Sequence, residues 1–432
     1  MTKIAAASAN APRQRRSRAD TTQPVNAPAV SGPAVNSQVR AQLAPQAQVA
    51  NDPAPRPEGA LRFLSEAQPA TPCLVVDLGV VARKYAELQA ALPRAEIFYA
   101  VKANPAPEIL GRLAAAGSSF DTASAGEIRA VFASGARPER VSFGNTIKKP
   151  ADIAWAYGEG VRLFAFDAIE ELRKIAAHAP GAEVYCRILV EAEGALWPLN
   201  RKFGCVPDMA VELLTEAQAL GLKPAGVSFH VGSQQQDPTQ WNRAIAAAGS
   251  VFRRCADAGV RLSMIDLGGG FPADYAAGIA GIGAYGAAIA AAMNAQFGDA
   301  WPRLIIEPGR YMVADAGIIE AEVLLVSRKS AGDDRRWVYL DIGRFGGLAE
   351  TEGEAIRYRV EALGTVAKAT GPVILAGPTC DSADILYDKA DYRLPLDLKA
   401  GDRVRLYSTG AYTTTYSAVN FNGFDPLRAY FV

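Results

Sequence analysis

The chain has 432 residues, half of them hydrophobic, with 45 basic and 45 acidic side chains. That is material for two globular domains, and a zero net charge gives no electrostatic reason to expect nucleic acid or a membrane surface as partner. No apolar run approaches transmembrane length. The two histidines argue against a histidine-built metal site. The five cysteines are scattered with no CxxC spacing, which points to reduced thiols in a reducing compartment, the cytoplasm.

Residues 1–58 are rich in Ala, Pro, Gln, Ser and Asn and nearly free of large apolar side chains. Such a segment buries too little apolar surface to offset its ordering entropy, which predicts a disordered extension. Arg13, Arg15, Arg16 and Arg18, with no acid before Asp20, also resemble a transit peptide, although amphipathic periodicity is weak. The lack of an apolar h-region excludes a secretory signal.

Leu74–Asp77 is a strand candidate, and residues 79–92 have helical spacing. A regular alternation follows. Strand-like runs occupy Ile97–Val101, Ser119–Asp121, Val141–Phe143, Leu163–Phe166, Val184–Val190, Gly226–His230, Met264–Leu267 and Leu304–Ile306. Helical stretches separate them, among them Glu108–Ala116, Ala125–Ser134, Ile169–Ala179, Met209–Leu220, Trp241–Ala258 and Tyr285–Phe297. Eight such units predict a parallel (β/α)8 barrel over residues 59–318. A doubly wound open sheet is the alternative, but its GxGxxG turn is absent after the first strand. From about Glu320 helical patterns nearly vanish. Ala321–Val326, Trp337–Asp341, Val373–Ala376 and Val404–Tyr407 predict a β domain over residues 319–432, to which a strand at 72–77 is a candidate contributor.

The barrel strands end, in order, in Lys102, Asp121, Asn145, Asp167, Arg187, His230, Gly268-Gly269-Gly270 and Glu307. In a closed barrel those positions converge on one face, where active sites are built. Any one of them is explained by a strand turning polar as it leaves the core; a nucleophile, acids, a histidine and a glycine loop on one rim are harder to explain that way. Lys102 ends an apolar strand just before Ala103-Asn104-Pro105, where proline disfavours helix. An amine in apolar surroundings loses its proton more easily and suits Schiff-base chemistry, although a lysine past a strand end is more often plain surface. The three glycines at 268–270 permit backbone amides to approach a phosphate, or simply make a tight turn. Glu307-Pro308-Gly309-Arg310 offers a planar fork for a phosphate, or a surface ion pair. His230 is a catalyst or a satisfied core residue, and Ser233 an anion ligand or a cap. Cys380-Asp381 sets a thiol beside a carboxylate, an acid–base pair or an inert turn. Tyr412 holds a ligand or packs.

Taken together these pieces resemble the fold-type III pyridoxal-phosphate (PLP) decarboxylases, and within them the ornithine/lysine decarboxylase family. The matching motifs are Tyr99-Ala100-Val101-Lys102-Ala103-Asn104, Phe120-Asp121, His230-Val231-Gly232-Ser233-Gln234, Gly268-Gly269-Gly270-Phe271, Glu307-Pro308-Gly309-Arg310, Cys380-Asp381 and Gly410-Ala411-Tyr412, in family order from about residue 70 onward. The resemblance implies an alanine-racemase-like (β/α)8 barrel followed by a C-terminal β domain. It implies PLP-dependent conversion of ornithine, lysine or both into putrescine or cadaverine, a step of polyamine biosynthesis.

It also implies roles. Lys102 carries the cofactor as a Schiff base. Glu307 faces the pyridine nitrogen and keeps it protonated, which makes the ring an electron sink for the carbanion left by CO2. His230 stacks on the ring. Ser233, Gly270, Gly309, Arg310 and Tyr412 resemble the phosphate holders, with Gly269 and Pro308 in the same contact set, and Asp121 and Arg187 fall near Lys102. Cys380 resembles the acid that protonates the substrate carbon after CO2 leaves. Asp381 resembles a ligand of the substrate's distal ammonium, and the second acid for that group falls in residues 346–354, with Glu350 and Glu354 as candidates. Cys380 and Asp381 come from the other subunit in this family, which implies a head-to-tail homodimer. Diaminopimelate decarboxylase shares several motifs but usually has Glu where this chain has Asp381. A non-catalytic regulatory homologue is the other alternative, and the presence of Lys102, Glu307, Arg310 and Cys380 argues against it. One methylene separates ornithine from lysine, and such a difference is weakly discriminated in any pocket.

Overall fold

A computed structural model describes residues 57–191, 193–197, 202–275 and 279–432. The prediction for the first 58 residues therefore falls outside the described residues, except at its edge, where Glu58 opens helix α1 (Glu58–Ala67).

Strand β1 (Cys73–Val76) comes next, then helix α2 (Leu78–Ala91), whose N-terminal amides at Gly79 and Val80 are capped by the Asp77 carboxylate. The alternation then begins. Strands β2 (Ala95–Ala100), β3 (Ser119–Thr122), β4 (Val141–Phe143), β5 (Leu163–Phe166) and β6 (Glu183–Arg187) follow one another. A two-stranded ribbon of β7 (Ala195–Trp197) and β9 (Ser233–Gln235) brackets β8 (Lys223–Ser228), and β10 (Met264–Asp266) and β11 (Arg303–Ile306) complete the set. β2, β3, β4, β5, β6, β8, β10 and β11 are parallel throughout and close into an eight-stranded barrel. The open-sheet alternative is thereby excluded. Helices cover the outside, each with an apolar stripe on the strands. Inside, Phe98, Leu163, Ala165, Tyr185, Ala225, Met264 and Ile305 form a separate buried cluster, so the barrel is a packed core and not a pore.

Boundaries moved most at two predicted strands. β6 ends at Arg187, because Ile188 leaves the ladder to bridge Cys205. β8 ends at Ser228, two residues before His230, so His230 stands on the loop and not in the sheet.

The β domain is a nine-stranded mixed sheet. Its long strand is β12 (Gly317–Ser327). It is flanked by β13 (Arg336–Leu340), β14 (Val360–Ala362), β15 (Thr370–Ala376), β16 (Ile385–Tyr387), β17 (Arg393–Pro395), β18 (Arg403–Tyr407) and β19 (Arg428–Phe431). β1 lies antiparallel to β12 and parallel to β19, so an early strand is built into the late domain. Among the described residues no helix is long and apolar enough to cross a membrane.

One loop of the β domain is fastened directly to the turn at the carboxyl end of β2. Asn104 Nδ2 donates to the Gly410 carbonyl at 2.9 Å, and the Tyr412 amide donates to the Ala103 carbonyl at 2.9 Å. The turn that carries Lys102 is thus fastened to the loop that carries Tyr412.

Candidate active site

Lys102 sits in a single 3-10 turn, Val101–Ala103, directly after β2. The turn stops because Asn104 is extended before Pro105, and the Tyr99 hydroxyl fixes it by donating to the Asn104 carbonyl at 2.9 Å. The Lys102 amine donates to Asp121 Oδ2 at 3.2 Å, and Ser142 Oγ donates to Oδ1 of the same buried carboxylate at 3.5 Å. Gly144 leaves the room for that carboxylate, since a Cβ there would lie 1.9 Å from Asp121 Oδ1.

The protonation of the amine runs against the expectation from apolar surroundings. Burial does pull the Lys102 pKa down, but Asp121, then Tyr412 and Glu307, push it up by more, and the amine is held above the ordinary lysine range. The strand that delivers Lys102 is apolar; the rim it reaches is acidic.

Behind the amine lies a buried group of acids. Burial, with Asp121 and Asp266 beside it, pushes the Glu307 carboxyl well above the usual carboxylate range. Burial likewise raises Asp266 to about 6, while its hydrogen bond with Glu307 pulls it the other way. Asp266 Oδ1 also accepts the Gly268 amide at 2.9 Å, which fixes the first glycine of the loop. Asp266 escaped the sequence reading because it lies inside a strand, one residue before the apolar Leu267.

His230 Nδ1 accepts the Gly232 amide at 2.9 Å, so Nε2 carries the ring proton. Burial, with Arg187 and Lys102 nearby, holds the imidazole well below its ordinary pKa, and the ring is neutral. The loops that present His230 and the triple glycine are stapled by Gln234, whose side chain donates to the Ala273 carbonyl at 2.7 Å and accepts its amide at 3.0 Å. Trp241 stacks on Phe271 beneath them, with ring centroids 5.1 Å apart.

A cation occupies the other end. The Arg310 guanidinium is buried and faces Ser233 Oγ with Nε at 3.3 Å and Nη2 at 3.2 Å. Its carbon lies 4.8 Å from the centre of the Tyr412 ring. A Cβ on Gly309 would come within 3.3 Å of the Tyr412 hydroxyl, one on Gly269 within 3.3 Å of His230 Nε2, and one on Gly270 within 2.6 Å of the Gly232 carbonyl oxygen. The glycines let backbone approach at the rim where a side chain would fill the space. Pro308 joins this loop back to β2 through its carbonyl, which accepts the Ala100 amide at 3.1 Å.

The site residues expected from the second domain behave differently. Glu350, an expected substrate ligand, pairs with Arg310 through both oxygens at 2.6 and 2.7 Å, and both partners are buried. Glu354 is engaged as well. It accepts the amides of Asp388, Lys389 and Ala390 at 2.9, 2.7 and 2.9 Å, so its carboxylate anchors that loop. Cys380 and Asp381 are exposed; the Cys380 amide donates to Asn422, and Asp381 Oδ1 accepts the Ala383 amide. Those bonds lie within the β domain, away from the Lys102 cluster. Tyr275, whose hydroxyl lies 2.9 Å from Arg310 Nη1 and accepts from it, had no motif to mark it. Among the described residues no three or more His, Cys, Asp and Glu side chains are arranged to hold a metal ion.

Comparison with known proteins gives the family of the chain. Residues 78–314 match the pyridoxal binding domain of the pyridoxal-dependent decarboxylases. A lysine/ornithine decarboxylase of Selenomonas ruminantium is 37% identical over 356 residues, covering 82% of this chain and 88% of the relative. The ornithine decarboxylase of Schizosaccharomyces pombe is 34% identical, covering 82% of each. A lysine/ornithine decarboxylase of Vibrio vulnificus, solved with cadaverine, superposes with a TM-score of 0.78 at 30% identity, covering 86% of this chain and 97% of that one.

The residues on the rim fit the cofactor such proteins use. A lysine amine would take its aldehyde, a carboxyl pair would face its ring nitrogen, and a buried guanidinium with a serine hydroxyl and glycine backbone would take its phosphate. The chain belongs to the pyridoxal-dependent decarboxylase family, and its cofactor is pyridoxal 5'-phosphate.

Proposed function

We propose that this enzyme decarboxylates L-ornithine, L-lysine or both, releasing CO2 and putrescine or cadaverine. The observation that carries the reading is the set of opposite ends on one rim, the Lys102–Asp121 pair and the Arg310–Ser233 cradle. Relatives named for these two substrates give it its chemistry.

Bound PLP supplies an electron sink for the pair of electrons left when the carboxylate departs. The chain's own residues do the rest. Lys102 would hold the cofactor's aldehyde carbon until a substrate amine takes its place, and Asp121, 3.2 Å from the amine, would steady the freed ammonium. Glu307, with Asp266 as its partner, would keep a proton on the ring nitrogen. His230, neutral, would offer the ring an uncharged face. Arg310, Ser233, Gly269, Gly270, Pro308, Gly309 and Tyr412 form the phosphate end, and Arg187 sits close enough to His230 to help keep it neutral.

Cys380 and Asp381 complete the site from a second copy of the chain in a head-to-tail homodimer. Cys380 then delivers a proton to the substrate carbon and Asp381 receives the distal ammonium. Their exposure on this chain supports that placement. Five unpaired cysteines support a reducing, cytoplasmic setting.

The test is CO2 release from PLP-loaded protein given L-ornithine, L-lysine and meso-diaminopimelate side by side, with Lys102→Ala as control. Turnover of either diamino acid, lost in the variant, is the expected result. Turnover of diaminopimelate alone would sink the assignment.

A further inference from the structure

The 3-10 segment Ala349–Glu354 sends its first glutamate onto the Arg310 guanidinium. We propose that Glu350 is a positioning residue for the cofactor phosphate: it clamps one edge of the Arg310 guanidinium so that the other edge is presented to the anion. The inference rests on the proposed function only for what the anion is.

A guanidinium is a flat fork with more than one usable edge. Here the end edge, Nη1 and Nη2, is taken by Glu350 Oε2 and Oε1 at 2.7 and 2.6 Å. Nη1 has a further partner in the Tyr275 hydroxyl at 2.9 Å. The side edge, Nε and Nη2, faces Ser233 Oγ at 3.3 and 3.2 Å, on the loop that also carries His230. Four atoms of Glu350, Tyr275 and Ser233 therefore fix both the plane and the rotation of the fork. Lysine in place of Arg310 would offer no such edge.

The clamp is itself held. The Glu350 carbonyl accepts the Ile356 amide at 3.1 Å, the Thr351 hydroxyl donates to the Leu348 carbonyl at 2.7 Å, and Glu354 ties the far end of the segment to the 388–390 loop. A buried, doubly bonded carboxylate on a pinned turn is a poor ligand for a substrate ammonium. The ammonium would have to strip it from Arg310 and leave a buried cation unpaired.

Two effects of Glu350 oppose each other. Its charge offsets that of Arg310 and weakens the pull on a phosphate. Its geometry removes the cost of orienting the fork at binding and keeps the correct edge forward. The burial of the pair decides between them: without Glu350 the fork keeps the Tyr275 and Ser233 hydroxyls but loses the charged, two-pronged partner that fixes its end edge, and a buried cation is left without that counter-charge.

The experiment is a cofactor titration of the full chain, stripped of PLP, followed by the absorbance of the bound cofactor. Wild type, Glu350→Gln and Glu350→Asp are each titrated with PLP and with pyridoxal, which lacks the phosphate. Glu350→Gln is expected to weaken PLP by roughly tenfold or more, the scale on which loss of an orienting partner acts, and to leave pyridoxal within about twofold. Glu350→Asp keeps the charge, shortens the reach and should fall between. It carries the test if the glutamine variant does not fold. At saturating PLP the KM values for ornithine and lysine should stay within about twofold of wild type. PLP bound as tightly as in wild type, or more tightly, overturns the proposal. So does an equal loss for PLP and pyridoxal, or a raised KM with cofactor affinity intact, which would return Glu350 to the substrate. A wild type that binds PLP but turns over neither amino acid sinks the substrate reading and leaves the titration standing.

Discussion

Asp121 holds the Lys102 amine at 3.2 Å and keeps it protonated. The nucleophile of the resting protein is therefore an ammonium, and capture of the cofactor has to wait for that proton to leave. Replacing Asp121 by Asn removes the largest upward push and leaves only the smaller ones of Tyr412 and Glu307 against the downward pull of burial. The rate of PLP capture by stripped protein, measured by stopped-flow absorbance across alkaline pH, should rise with pH in wild type. In Asp121→Asn the same rise should come at lower pH, with capture near pH 8 faster by about tenfold for each pH unit by which the rise moves. Identical pH profiles in the two proteins would contradict the pairing.

Gly144 is required by the same carboxylate. A Cβ there meets Asp121 Oδ1 at 1.9 Å, with the Tyr185 hydroxyl only 3.2 Å away. Gly144→Ala must move Asp121 and with it Lys102. Overpacking of this kind costs about 1–3 kcal/mol, and misplacing a catalytic group by about 1 Å can cost on the order of 100-fold in rate. Melting curves and kcat for ornithine check both; a variant with wild-type kcat would show that the carboxylate has somewhere else to go.

Glu354→Gln separates structure from specificity. Three backbone amides lose an ionised acceptor, which predicts a stability loss of about 1–3 kcal/mol by denaturant titration. The ratio of kcat/KM for ornithine to that for lysine should not change. A shifted ratio with unchanged stability would put Glu354 back at the substrate.

The Glu307–Asp266 pair makes stability fall as pH rises. Asp266 is raised from 3.8 to about 6 and Glu307 is raised well above its own reference, so the folded protein binds protons that the unfolded chain has already lost. The stabilisation is present below the unfolded carboxylate range and is lost as pH climbs through the folded values, by about 1.4 kcal/mol for every tenfold difference in proton affinity between the folded and unfolded states. Thermal melts of stripped protein between about pH 4 and 7 should show this decline, and Asp266→Asn should flatten it. An unchanged slope in the variant would mean that other groups carry it.

Shared sites predict complementation. Lys102→Ala and Cys380→Ala homodimers should each be nearly inactive. Mixed and allowed to exchange subunits, they should regain roughly a quarter of wild-type activity, because half of the dimers are then mixed and each has one intact site of two. No recovery after verified exchange would place Cys380 in the same subunit's site as Lys102, or outside the site altogether.

Much of the rim was legible because a barrel turns chain order into geometry. Once eight strands alternate with helices, the residue after each strand has a place, and Lys102, Asp121, His230 and Glu307 could be read as neighbours without any knowledge of contacts. What escaped depends on pairs between distant positions. The acidity around Lys102 is one case, since the apolar strand that carries it says nothing of Asp121 on the next. Arg310 and Glu350 are another: each was assigned alone, one to the phosphate and one to the substrate, while the structure pairs them with each other. Glu354 is a third: its bonds to the amides of residues 388–390 depend on a loop more than thirty residues away. Strands β14, β16, β17 and β19 went unseen because runs of 3 or 4 residues are too short for a period to show.

The position of β1 has a consequence for how the protein is made. Cys73–Val76 leaves the ribosome before every strand of the barrel, yet one of its two partners is β12 and the other is Arg428–Phe431. Its flanks are closed by Val432 as well, whose amide donates to the Val76 carbonyl while its own carbonyl accepts the Leu78 amide. The barrel, from β2 to β11, has all its strands before β12 is synthesised and can close early. The nascent chain must carry an unpaired, fully buried-to-be strand edge through the synthesis of the whole barrel, and that edge is the point at which a chaperone, or another nascent copy, finds the chain open.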